Sequence, residues 1–152
     1  MSISVRLAEL GIELPAVAAP VASYVPAVVH GGLVYTSGQL PFSGGSLPAT
    51  GKVGGEVTAD DANRYARTCA LNALAAAAEA AGGVDRIAGV LRVGGFVAST
   101  ADFTGQPAVI NGASEVLGEI FGDAGRHARA AVGVPVLPLD SPVEVEVTFL
   151  LS

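Results

Sequence analysis

The spacing of apolar and polar positions changes period several times along this chain, and each change predicts an element. Thr58-Ala59-Asp60-Asp61 has the form of a capping box, with acidic side chains in the first turn where the helix dipole favours them. Beyond it Ala62, Ala66, Cys69, Ala73, Ala76 and Ala80 recur at helical spacing until Gly82-Gly83 stops the pattern. An alanine face of this kind lets a helix lie close to a sheet. A second helix is predicted from Pro107, with Val109, Ile110, Ala113, Val116, Leu117, Ile120 and Phe121 as its apolar stripe and Gly122 as its end. A short helix over residues 4 to 10 places Ile3, Leu7 and Leu10 on one side, and Gly11 and Pro15 end it; it would pack as a lid or brace.

The remaining apolar runs read as strands. Residues from Val21 to Val29 alternate loosely around Pro26, which suits an edge strand, and Gly31-Gly32 turns the chain into Leu33-Val34-Tyr35-Thr36-Ser37, which predicts a hairpin. Pro41 to Gly55 is rich in Gly, Ser and Pro and predicts a surface loop with room for one short strand. Val84 to Ala98 predicts a long strand kinked at Gly94-Gly95. Two further strands, 126 to 138 and 142 to 147, are joined by the turn residues Leu139-Asp140-Ser141. The order is β-β-(β)-α-β-α-β-β, an α+β layer with two helices on one face of a single mixed sheet.

Composition adds limits. At 152 residues the chain is one domain's worth. Only 14% of residues are charged, well below a typical quarter, and the mean hydropathy is +0.55. Abundant Ala and Gly raise that figure, but the low charge also favours an apolar face buried in a homo-oligomer. A net charge of −6 with eight scattered Lys and Arg residues disfavours nucleic-acid binding. Cys69 is the single cysteine, which excludes an internal disulfide and fits a reducing compartment. No run is long and apolar enough to span a bilayer and no basic, then apolar leader opens the sequence, so a soluble cytoplasmic protein is expected. His30 and His127 lack partners at metal-ligand spacing, the glycine pairs at 44–45 and 54–55 lack a phosphate-loop context, and no Ser-His-Asp order can be defended; no metal or cofactor is expected.

The informative charges lie near the C-terminus. Arg129 sits in a run of Ala and Val and keeps its charge, so it needs water or an anion before it. Glu144 poses the same demand with opposite sign. Strand period places Glu144 and Glu146 on one face, and alternation cannot choose between them. An ion pair across a subunit contact and a ligand-binding arginine are equally open from these residues alone.

Ala128-Arg129-Ala130-Ala131-Val132, then Leu137-Pro138, then Val143-Glu144-Val145-Glu146, together with Ser37-Gly38-Gln39-Leu40-Pro41, resembles the signatures of the Rid (YjgF-type) family of small trimeric enamine/imine deaminases, once labelled endoribonucleases or translation inhibitors. The likeness covers residues 20 to 152 and leaves an N-terminal extension, 1–20, outside a Rid-type domain, 21–152. It implies the chorismate-mutase-like Rid fold, a homotrimer with sites between subunits, and a small carboxylate-bearing imine or enamine as substrate. By the same resemblance Arg129 would bind the carboxylate through its bidentate fork, and Glu144 would activate the attacking water. Tyr24, Ser37, Gly38, Asn111, Ala131 and Pro138 would line the pocket. Two departures stand out: Ala131 replaces a frequent cysteine, and Ser114 stands where an aromatic residue is common, which re-shapes the pocket. The function this implies is hydrolysis of 2-imino and 2-enamino acids to 2-oxo acids and ammonia. The alternative is a non-catalytic trimer that binds small carboxylates; an endoribonuclease is disfavoured by charge.

Overall fold

The computed structural model describes residues 1–17, 19–20 and 22–152. It contains one five-stranded mixed sheet with three helices. In chain order these are α1 (Ile3–Glu9), β1 (Ala27–His30), β2 (Leu33–Thr36), α2 (Ala59–Ala81), β3 (Ile87–Ala98), α3 (Gln106–Phe121), β4 (Ala128–Val134) and β5 (Val143–Leu151), with short 3-10 turns before β3, after α3 and before β5. The α+β class and the single mixed sheet expected from the sequence are found. The sheet order is β1-β2-β5-β3-β4.

The helices form where local chemistry specifies them. Thr58 Oγ1 accepts the N–H of Asp61, Asp60 and Asp61 occupy the first turn, and Gly82 closes α2 in the left-handed conformation. Ala62, Ala66, Cys69, Ala70 and Ala73 are all fully buried, while Ala80, predicted to share that face, is exposed in the last turn. Every predicted stripe residue of α3 is buried. The two helices cross at Gly112, where a Cβ would fall on the backbone oxygen of Asn63, and Asn63 Nδ2 donates to Ala108 O at 2.9 Å. Helix α1 braces the same layer: Arg6 Nε donates to Glu119 O at 2.9 Å, and Ser4 N and Oγ both donate to the Asp85 carboxylate.

The sheet departs from expectation in four ways. The edge strand is only four residues long, because Pro26 precedes it; Val21 lies outside the described residues. The predicted loop forms only isolated bridges, Ser43 to Ser46 and Val53 to Val57 and Ser99. Val84–Arg86 is a 3-10 turn, and the irregularities of β3 fall between Ile87 and Gly89 and between Val90 and Arg92, so pairing runs unbroken through Gly94-Gly95. Those glycines serve close approach instead: a Cβ on Gly95 would lie 2.5 Å from Ile110 Cγ1 of α3. Finally, the last two strands are not neighbours. β4 pairs in parallel with the outer side of β3, and β5 inserts antiparallel between β2 and β3. The segment after β4 therefore crosses the end of β3 before β5 begins.

Candidate functional site

A cleft of about 500 Å³ opens beside the end of β5 that carries Glu144. Its lining includes five of the residues picked out by sequence, Tyr24, Ser37, Gly38, Pro138 and Glu144, together with apolar Leu40, Phe42 and Leu139. Gln39 and Val145 exchange two backbone hydrogen bonds, 2.8 and 3.0 Å, which fastens the 37–41 segment onto β5. Ser37 Oγ donates to Val25 O at 2.6 Å, so its lone pairs are what it still offers a ligand. Gly38 lies against Glu144: a Cβ there would fall on Glu144 Oε1. Only glycine lets the carboxylate keep this place.

One wall of the cleft is built on unusual backbone. Leu139 and Asp140 both have positive φ, 59° and 55°, a conformation that costs a non-glycine residue on the order of 1–3 kcal/mol. Lys52 Nζ holds Asp140 Oδ1 at 2.5 Å and Gly51 N–H donates to Asp140 O at 2.9 Å. The Glu56 carboxylate accepts Lys52 N–H at 2.9 Å, a bond that lowers its pKa and ties the loop of Lys52 to itself. This loop keeps Pro138 and Leu139 at the cleft, with Leu139 largely exposed on its rim.

Burial raises the pKa of Glu144, and the nearby Glu146 charge raises it further. The two glutamates share the face of the sheet turned away from the helices, as the strand period requires, and Glu146 is the more exposed. Between the unfolded and the raised folded value the folded chain binds more protons, so stability is lost as pH rises through that window. Glu144→Gln escapes this loss. It is expected to melt higher than the native chain at neutral pH, with the gap closing below about pH 4; equal melting temperatures at neutral pH would contradict the assignment.

Arg129, Asn111 and Ala131 lie elsewhere. Arg129 is paired with Val93 across the β3-β4 ladder, and Glu144 with Phe96 across β3-β5. Val93 and Phe96 are three residues apart on one regular strand, so Arg129 and Glu144 point to opposite faces of the sheet. Arg129 turns to the helix side, where Nη1 donates to Ser114 Oγ at 3.1 Å and Nη2 to Pro107 O at 3.2 Å, both on α3. Ala131 lies two residues on along the same face, packed against the core, and half-buried Asn111 shares a face of α3 with Pro107 and Ser114. Among the described residues Arg129 has no carboxylate partner.

Sequence reasoning missed two members of this second group. Ser114, singled out by sequence only as a departure from the resemblance, also supports Arg129. His127, set aside in the sequence for lack of metal-ligand partners, is half-buried, with Nε2 2.9 Å from Ser114 Oγ and Nδ1 2.6 Å from Gly125 O. The i, i+4, i+7 spacing of Pro107, Asn111 and Ser114 is the signal that could have found the first. Cys69 is fully buried in α2, and its thiol pKa is pushed well up by that burial, as expected for a structural thiol. No group of three His, Cys, Asp or Glu side chains able to hold a metal occurs among the described residues, and no helix is long and apolar enough to cross a membrane.

A family model, "YjgF/chorismate_mutase-like, putative endoribonuclease", matches residues 4–150. Protein TCP17 of Trypanosoma cruzi is 41% identical over 145 residues, which cover 95% of this chain and 91% of that protein. A crystal structure from Agrobacterium tumefaciens, of a protein of unknown function, is 43% identical with a TM-score of 0.90, covering 99% of this chain and 92% of that one. TdcF from E. coli, solved with bound serine, is 28% identical with a TM-score of 0.64, covering 90% and 94%.

Proposed function

We propose, since the chain belongs to the YjgF/chorismate-mutase-like family, that it hydrolyses reactive 2-imino and 2-enamino acids to 2-oxo acids and ammonia in clefts between the subunits of a homotrimer. The observation that carries this reading is an arginine oriented by α3 with no carboxylate partner among the described residues, while a half-buried glutamate faces a cleft on the opposite side of the sheet. One chain cannot close these two groups on one small ligand. A second copy can, by bringing the β4 edge of one subunit to the Glu144 cleft of the next.

In such a cleft Arg129 spends two of its five N–H donors on α3 and keeps three for the substrate carboxylate. Glu144 takes a proton from a water molecule, and the resulting oxygen nucleophile attacks the C=N carbon. The nitrogen gains protons from the carboxyl group and from solvent as the tetrahedral species collapses to a C=O bond and releases ammonia. The raised pKa of Glu144 suits it to both transfers. A substrate already activated as an imine needs no cofactor.

A second reading has its own support: Ala131 leaves no thiol at the site, and TdcF was solved with bound serine, so a trimer that binds small carboxylates without turning them over is the alternative. The net charge of −6 favours small metabolites over RNA in either reading, and a cytoplasmic location goes with both. The test is release of ammonia and 2-oxo acid from imines generated in situ by an amino-acid oxidase, across small, branched and aromatic side chains. Turnover above the uncatalysed rate is expected. Ligand binding without turnover would replace the hydrolase by the binding protein.

A further inference from the structure

We infer that Ser114 and His127 are positioning residues that set the orientation of the Arg129 guanidinium through a one-way hydrogen-bond relay, an assignment that rests on Arg129 being the carboxylate-binding group. The direction of the relay follows from its ends. The Gly125 carbonyl can only accept, so His127 Nδ1, 2.6 Å away, carries the ring proton and donates it. A ring protonated on Nδ1 alone presents Nε2 as an acceptor, and the Ser114 hydroxyl, 2.9 Å away, donates to it. The free lone pairs of Ser114 Oγ are thereby turned to Arg129 Nη1, which donates across 3.1 Å.

Both ends are fixed to the same helix. Gly125 is buried against the C-terminal half of α3, where a Cβ would lie 2.6 Å from Leu117 O, so its carbonyl is a rigid anchor. Pro107 O holds Arg129 Nη2 at 3.2 Å from the first turn of α3. The guanidinium plane is therefore pinned at two nitrogens by groups about two turns apart on one helix face. Its three remaining N–H donors have no partner among the described residues. This support is built from residues of this chain that fall outside the motifs: Ser114 stands at a position where an aromatic side chain could not accept from the arginine, and His127 immediately precedes β4.

Nitrogen–proton correlation NMR of the two histidines, with His127→Phe to assign them, reads the relay without any ligand. The native chain is expected to show His127 protonated on Nδ1, and Ser114→Ala is expected to leave that proton in place, since Gly125 O still accepts it, while shifting the Nε2 resonance as its hydrogen bond is lost. A native His127 protonated on Nε2 would overturn the relay. In the turnover assay, Ser114→Ala and His127→Phe are each expected to raise KM for 2-imino acids about ten-fold while leaving kcat within about two-fold. His127→Gln, which keeps an acceptor for Ser114, should recover most of the loss. An imine that lacks a carboxylate should be hydrolysed equally by native and variant chains; equal losses on both substrates would mean general damage and would also overturn the relay. Should the native chain turn over no imine at all, the hydrolase reading falls, and the tautomer measurement still decides the relay.

Discussion

Chains carrying Arg129→Ala and chains carrying Glu144→Gln are expected to be nearly inactive separately and to regain turnover when assembled together. Each change removes one half of the proposed machinery. Loss of the carboxylate grip or of the general base is expected to cut kcat/KM by roughly 10²–10⁴. Within one subunit Arg129 and Glu144 lie on strands separated by β3, at ladder positions three residues apart, and on opposite faces of the sheet. If the two act on one substrate, they come from different subunits. In trimers formed at random from equal amounts of the two variants, about a quarter of the clefts then combine an intact arginine with an intact glutamate. Co-expression with distinct affinity tags isolates the mixed trimers, and ammonia release measures them. A chain bearing both substitutions, mixed with either single variant, serves as the control and should recover nothing. Mixed trimers without activity would place both groups in one subunit's site.

The second large effect is on stability. Gly112→Ala is expected to destabilise the fold by about 3 kcal/mol or more, since its methyl group would fall on a backbone oxygen of α2 and only movement of a whole helix could make room. The core on either side, built from Ala62, Ala66, Val109 and Ala113, is fully buried and has no slack to absorb that movement. Gly118, on the same helix, has nothing within 4 Å of its would-be Cβ. Gly118→Ala should therefore be neutral or stabilising by up to about 1 kcal/mol through helix propensity alone. Urea unfolding of the two variants side by side separates steric cost from propensity. A shift below about 1 kcal/mol for Gly112→Ala would show that the helices separate easily.

What the sequence made legible was what local chemistry decides. Thr58 and Gly82 bound α2, and the stripe of α3 is buried at every predicted position, because capping and helical period depend on neighbours along the chain. Strand adjacency was not legible. The alternation in β5 is the same whether it pairs with β4 or inserts between β2 and β3, so the pattern carried the buried face but not the partner. The glycine pair in β3 has two possible uses, a bulge or close approach, and only the third dimension chooses the second, with Gly95 against Ile110 of α3 and Gly94 against Glu146 on the other face. Leu139 and Asp140 gave no sign of left-handed backbone, since that strain is held by Lys52 and Gly51 far away in sequence. The candidate residues themselves divide into a cleft group around Glu144 and a helix-side group around Arg129. No reading of one chain's sequence could show that division, because the face on which a strand residue lies is relative to partners not yet known.

The sheet order β1-β2-β5-β3-β4 makes the final strand of the chain its central one. During synthesis the first hairpin and the β3-α3-β4 unit leave the ribosome with no ladder between them, and α2 waits for the β5 part of the sheet it packs on. Closure requires contacts between the two ends of the sequence, a long loop to bring together before any gain is realised. The sheet therefore completes only once Val143–Leu151 is available to insert, and a nascent chain stalled before Val143 would display two open strand edges.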